Sequence, residues 1–182
     1  MLHFVTGNPG KVREVQSMLE ADVQQFEFDY TEIQSHDLRE IAAHGAREAY
    51  SEVGEPVIVE DSGLFVEALD GFPGPYSAYV EDTVGIERLW RLVEPEDDHS
   101  AAFRSVVAYC DGTEAGVGEE VTFFEGMVPG VIVPPRGEGG FGYDPIFEHG
   151  EKTFAEMDPE EKNAVSHRVR ALSRLAEWYE RK

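Results

Sequence analysis

A chain of 182 residues with 41% hydrophobic content is long enough for one packed domain, with room for two lobes around a cleft. Its 37 acidic against 15 basic residues give a formal net charge of −22, which repels nucleic acid polymers and anionic membranes; a small anionic ligand stays open wherever the few basic residues converge. Cys110 is the single cysteine, so an internal disulfide and a cysteine-built metal centre are excluded, and it reads as a small buried hydrophobe. No run approaches the roughly 18 apolar residues of a membrane span, and Thr6-Gly7 arrives too early for a signal-peptide core, so the expected location is the cytoplasm.

Leu2 to Val5 read as a short strand running into Thr6-Gly7-Asn8-Pro9-Gly10-Lys11, and Val12, Val15, Met18 and Leu19 then recur at helical spacing. Strand, glycine-bearing turn and helix make a phosphate cradle: glycines let the backbone approach, N–H groups at the helix start point at an anion, and a lysine adds charge. Gly7 to Gly10-Lys11 is too short for a Walker A loop, and Val12 stands where its Ser or Thr would be. A plain turn with a helix cap accounts for the same residues. Phe26, Phe28 and Tyr30 alternate as a half-buried strand ending near Thr31 and Glu32. Leu38, Ile41, Ala42, Ala46 and Ala49 mark a helix that runs out near Gly54.

Val57-Ile58-Val59 predicts a buried strand whose C-terminal end delivers Glu60, Asp61, Ser62 and Gly63. In open α/β sheets that end is where ligands bind. Paired acids there suit a hard divalent cation, since Mg²⁺ takes oxygen ligands and needs only one or two carboxylates besides phosphates and water. A solvated turn is the simpler alternative. Leu64 to Leu69 suggest a further strand, and Gly71-Phe72-Pro73-Gly74-Pro75-Tyr76 is too rich in Gly and Pro for regular structure, serving as a lid or a rigid connection.

Ile86, Leu89, Trp90 and Val93 predict a short helix. Ala101 to Cys110, Glu120 to Glu125 and Val128 to Val133 predict three strands, the first two across an Asp111-Gly112 turn, as an antiparallel extension of the sheet. The segment from Pro134 to Pro145 sets Phe141 and Tyr143 among glycines, which allows a planar base to stack; plugging the core is the alternative use of the same rings. Asp158 as N-cap, Pro159 at N1 and Glu161 at N3 then start one last helix with Val165, Val169, Leu172, Ala176 and Tyr179 as its apolar stripe. On one continuous wheel Lys162 and Arg168 border that stripe and His167 projects further away, so the helix could present donors to a cleft or simply carry solvated charges.

Thr6 to Lys11, Glu60-Asp61-Ser62-Gly63-Leu64, Gly71 to Tyr76, Gly139-Gly140-Phe141-Gly142-Tyr143-Asp144-Pro145-Ile146-Phe147 and Glu161-Lys162-Asn163-Ala164-Val165-Ser166-His167-Arg168 occur in the order seen in the inosine triphosphate pyrophosphatase family, which the chain resembles over nearly its whole length. The resemblance implies an α/β fold: an elongated mixed β-sheet flanked by helices, a single domain over 1–182 with two lobes around a central nucleotide-binding cleft, assembled as a homodimer. It implies Mg²⁺-dependent hydrolysis of ITP, dITP and XTP to the monophosphate and pyrophosphate. Carried over residue by residue, Thr6, Gly7, Asn8, Pro9, Gly10 and Lys11 would hold the triphosphate, with Glu32 and Asp61 at the metal. Asp61 would also be the base for the attacking water, and Ser62 would touch substrate. Phe141, Gly142, Tyr143 and Asp144 would line the base pocket, and Lys162, His167 and Arg168 would complete the nucleotide site.

Where many members carry a lysine after the first acid, this chain has Gly45, with Arg47 two residues on; Glu27, Asp29 and Asp37 flank Glu32 as alternative acids. Hypoxanthine and xanthine present a 6-oxo acceptor in place of adenine's amino donor, so Arg168 or His167 near that edge would favour the oxo bases. A nucleotide-binding sensor without turnover, or a pyrophosphatase for other modified nucleotides, fits the same motifs. The acidic balance and scarce lysine further predict a salt-rich cytoplasm and a halophilic protein.

Overall fold

The computed structural model describes residues 1–114 and 119–182. The chain divides into two compact units, Met1–Asp61 with Ser105–Glu125 and Arg170–Lys182, and Ser62–Arg104 with Gly126–Val169.

In the first unit, β1 (Leu2–Val5) pairs in parallel with β2 (Val23–Phe26) on one side and with the start of β3 (Val57–Val66) on the other. Between β1 and β2 lies α1 (Pro9–Met18), which Asn8 caps and Pro9 opens; its Val12 and Val15, with Leu19 just beyond, are buried. Ahead of β3, α2 (Leu38–Val53) starts on the Asp37 side chain and stops at Gly54, whose φ of 70° is the left-handed turn-off that glycine supplies cheaply. The core of this unit joins β1, α1 and Ile58 to Val107, Phe124 and one face of α6 (His167–Tyr179), through Ala171, Leu172, Leu175 and Ala176.

The second unit has its own core, in which Leu64, Val66, Leu89, Val128, Ile146, Phe147 and Phe154 take part. Its elements include β4 (Pro73–Gly74), α3 (Ser77–Thr83), α4 (Ile86–Val93), β7 (Phe147–His149), β8 (Lys152–Thr153) and α5 (Pro159–Val165). The strands β5 (Ser100–Glu114) and β6 (Glu119–Ile132) have residues in both units. Among the described residues the eight strands form one mixed sheet in the order β2-β1-β3-β5-β6-β7-β8, with β4 paired to β3, and six α-helices accompany it. No helix among the described residues is long and apolar enough to cross a membrane.

The structure corrects several expectations. The aromatic alternation stops being strand at Phe26; residues 27–35 have no helix or strand, and Phe28 instead stacks on Phe26 at 5.6 Å. Glu60 to Gly63 do not end a strand but lie inside the ten residues of β3, and 67–69, placed at the end of a further strand, form a 3₁₀ turn. Gly71 to Tyr76 is not wholly irregular, since Pro73 and Gly74 pair with Phe65 and Leu64. Two long strands replace the three expected after α4: Gly112 lies within β5, with the Tyr50 hydroxyl where a Cβ would stand, and Gly126 does not interrupt β6. Residues 115–118, between the two strands, lie outside the described residues. Finally, the last helix is two helices, because Ser166 takes an extended backbone (φ −60°, ψ 132°) between α5 and α6.

Candidate active site

The β1–β3 register sets the geometry of the first unit's site. Val5, the last residue of β1, lies opposite Val59, so Glu60 and Asp61 follow immediately after the parallel pairing ends, although β3 itself continues. That is the carboxyl edge of the parallel strands, where open α/β sheets bind ligands. Thr6 leaves the same edge of β1, its N–H bound to the Phe26 carbonyl at 3.2 Å. Asn8 receives the turn that follows: its Oδ1 accepts from the Gly10 N–H at 2.8 Å and the Lys11 N–H at 3.4 Å, while its own N–H donates to Thr6 Oγ1 at 3.1 Å. Thr6 to Lys11 are thus a capped helix start, with the amides of Gly10 and Lys11 turned to Asn8.

Lys11 Nζ reaches Glu60 Oε2 at 2.7 Å, and Ser105 Oγ donates to Glu60 Oε1 at 2.7 Å. The Glu60 side chain is fully buried, so a cation and a hydroxyl donor are what make a charged carboxylate tolerable there. Asp61, next along β3, is only half-buried. The Tyr30 phenol carries the electrostatic signature of the acids around it: burial first, then the charges of Asp61, Glu32 and Glu60, push its pKa up to about 12. Asp61, Glu32 and Glu60 are the charges that act on that phenol. Gly45 lies buried in α2 against the Tyr30 ring, whereas Arg47, roughly 200° further round the helix, is exposed and does not take Gly45's place.

The remaining candidates fall in the second unit. Phe141 is 74% exposed, with Lys162 Nζ 4.3 Å from its ring centroid, while the ammonium also bonds Asp144. Asp144 is 3% exposed and accepts from the Phe141 N–H at 2.8 Å as well, so one buried carboxylate fixes both the ring and the cation over it. Gly140 and Gly142 have φ of 74° and 61°, and a Cβ on Gly140 would strike Asp144 Oδ2. Tyr143 is a core residue: it is 4% exposed and donates to the Ser77 carbonyl at 2.7 Å, its phenol raised by burial and by Glu81 and Asp82. The two rings of this loop thus divide the alternatives, Phe141 being open for stacking and Tyr143 plugging the core. His167 stacks on Phe103 at 5.0 Å with 11° between the planes, and both His167 and Arg168 open α6 in half-buried positions. Ser62 is half-buried in β3.

Sequence reasoning passed over Ser105 and gave Tyr30 and Gly45 no part in holding the site. Ser105 had a signal, a small hydroxyl in a largely apolar strand; Gly45 had a weaker one, a glycine inside a helix rich in alanine.

The model of the Ham1 family matches residues 2–178 of the chain. A dITP/XTP pyrophosphatase of Methanopyrus kandleri is 53% identical over 181 residues, covering 97% of this chain and 94% of that protein. An inosine triphosphate pyrophosphatase of Fusarium vanettenii is 42% identical, covering 98% of this chain and 95% of that protein. The solved Staphylococcus aureus Ham1 protein superposes with a TM-score of 0.85 at 32% identity, covering 98% of this chain and 97% of that one. With a match over nearly its whole length in sequence and in fold, the chain belongs to the Ham1 family.

Proposed function

We propose that the chain is a metal-dependent nucleoside triphosphate pyrophosphatase that hydrolyses ITP, dITP and XTP to the monophosphate and pyrophosphate, with Mg²⁺ as its cofactor. The observation that carries this reading is the pairing of Lys11 with the buried Glu60, with Asp61 next along β3, at the carboxyl edge of the parallel strands. The names of relatives up to 53% identical support the substrate class. The same reading puts the protein in the cytoplasm, as a homodimer.

The donor set fits a hard cation. Glu60 is held by Lys11 and Ser105, and Glu32 and Asp61 supply carboxylate oxygens, the ligand type such a cation takes. Among the described residues no three of His, Cys, Asp and Glu form a closed cage, and Mg²⁺ held by Glu32 and Asp61 would need none, since such an ion draws its other ligands from phosphates and water. When bound, it supplies charge neutralisation on the phosphates and acidifies the attacking water. Asp61 then accepts that water's proton as the water oxygen bonds to the α-phosphorus and the α–β bridge bond breaks, with pyrophosphate leaving. Lys11 offers its ammonium to the developing negative charge, in competition with Glu60. Phe141 offers a base-stacking face, and Arg168 and His167 offer donors that a 6-oxo purine satisfies and adenine's amino group does not.

A panel of ITP, dITP, XTP, GTP and ATP with Mg²⁺, its products separated, tests this. Pyrophosphate released from the oxo purines, well ahead of ATP, is expected. Orthophosphate release points to a different phosphatase, and binding without turnover to a nucleotide sensor.

A further inference from the structure

Glu32 sits in a segment, residues 27–35, that has no hydrogen-bonded ladder or helix of its own to hold it. Two neighbours tie that segment to α2. The Thr31 N–H donates to Glu48 Oε2 at 2.9 Å and its hydroxyl to Glu48 Oε1 at 3.3 Å, so both carboxylate oxygens of one helix residue clamp one loop residue. His44 Nε2 lies 3.4 Å from Glu48 Oε2, one helical turn back. Three residues before Glu48, and so beside it on the helix surface, is Gly45, where an added Cβ would stand 2.6 Å from Cε2 and 2.9 Å from Cζ of Tyr30. The ring of Tyr30 therefore rests on bare helix backbone, and only glycine leaves room for it. These contacts hold the two residues just before Glu32.

We propose that Gly45 and Glu48 are positioning residues for the metal site, seating Tyr30 and Thr31 on α2 so that the Glu32 carboxylate is held ready for the cation it shares with Asp61. The proposal rests on the reading of Glu32 and Asp61 as metal ligands given above. Its physical content is preorganisation: a ligand on an untethered loop must be ordered each time metal binds, and partners behind first-sphere ligands govern metal affinity for that reason. It also gives Gly45 a use of its own, as the notch for an aromatic ring.

The test is Mn²⁺ binding, read from the EPR signal of the free ion at saturating α,β-methylene-ITP, for the wild type, Glu48→Ala, Glu48→Gln, Gly45→Ala and Glu32→Ala, with thermal midpoints alongside. Glu48→Ala is expected to raise the Mn²⁺ dissociation constant about tenfold, the lower end of what loss of such partners costs. Glu48→Gln, which keeps a carbonyl oxygen for Thr31, should recover most of that loss. Activity of Glu48→Ala should return as Mg²⁺ is raised, with KM for ITP at saturating Mg²⁺ unchanged. Gly45→Ala should act in the same direction; should it fail to fold, the half-exposed Glu48 still decides. If Glu48→Ala binds Mn²⁺ as the wild type does while Glu32→Ala does not, the positioning role is wrong and the functional reading stands. If Glu32→Ala is also without effect, the ligand assignment falls and this inference with it.

Discussion

Glu60 and Asp61 are neighbours in sequence with opposite environments, and the difference assigns their work. Glu60 is buried and matched by Lys11 and Ser105, so it is an anchor; Asp61 is half-buried and is the acid we assign to the water. Asp61→Asn is expected to lower kcat by about 10²–10⁴ while ITP still binds, and a variant keeping more than about a tenth of wild-type kcat would remove Asp61 from its role. Lys11→Ala should weaken ITP and ATP alike, because both carry the same triphosphate, whereas Arg168→Ala should narrow the preference for ITP, because only the base differs. The Lys11 contact to Glu60 adds a condition. Losing the lysine leaves a buried carboxylate without its cation and costs stability of about 3–5 kcal/mol, so the kinetics belong in a Glu60→Gln background, which keeps the oxygen that Ser105 uses. An unchanged ITP-to-ATP ratio of kcat/KM in Arg168→Ala would refute base reading by that residue. The paired acids were legible in the sequence. Their partners were not, because Lys11 and Ser105 lie 49 and 45 residues from Glu60 and only the folded register brings them together.

Elements were legible where periodicity was local and hidden where pairing decided. Helices α1 and α2 announced themselves through caps and apolar spacing, but β3 runs on through two acids, a serine and a glycine beside β5, and its Leu64 and Phe65 then pair with β4, which no local signal marks. Gly63 is the point where that pairing is tightest: a Cβ there would lie 2.1 Å from the Gly74 carbonyl oxygen, and Ser77 Oγ locks the same place by accepting from the Leu64 N–H and donating to Gly74 O. Gly63→Ala should therefore destabilise by about 1–3 kcal/mol, and a melt within error of the wild type would show that the strands can part at no cost. The break at Ser166 was equally invisible, since the apolar stripe runs through it unbroken in sequence. Beyond α6, Lys182 bonds Asp111 and the Tyr109 hydroxyl of β5. Burial would raise the Asp111 carboxyl, but hydrogen bonds from Lys182 and Thr113 and the lysine charge outweigh it and hold the pKa at about 2. A depressed carboxylate stabilises above its unfolded pKa, about 4, and that contribution is lost as pH falls toward 2. The melting-temperature gap between wild type and Asp111→Asn should accordingly shrink as pH is lowered from about 5 to 3; a constant gap would mean the tie is not electrostatic.

For the whole molecule, the order of the motifs revealed the family, while the charge balance makes a separate demand that family membership does not explain. All four lysines, Lys11, Lys152, Lys162 and Lys182, bond a carboxylate, which neutralises few of the 37 acids. Outside residues 114–120 only Glu60 and Asp144 are buried acids, so the other acids there lie wholly or partly at the surface, and a net charge of −22 is spread over 20.3 kDa. Self-repulsion of that kind opposes compaction, and it weakens as the Debye length contracts from about 10 Å at 0.1 M salt to about 3 Å at 1 M. The same screening loosens exposed pairs such as Lys152 with Glu161, but solvent-exposed pairs contribute little and few oppose so large an excess of like charge. The expected outcome is a thermal midpoint that climbs from low to molar KCl at fixed pH and Mg²⁺, in keeping with a protein suited to a salt-rich cytoplasm. Repeating the series with sucrose in place of KCl separates screening from general solute exclusion, since an uncharged solute leaves the Debye length unchanged. A midpoint that stays flat or falls as KCl rises would show that the acidic surface is no adaptation to salt.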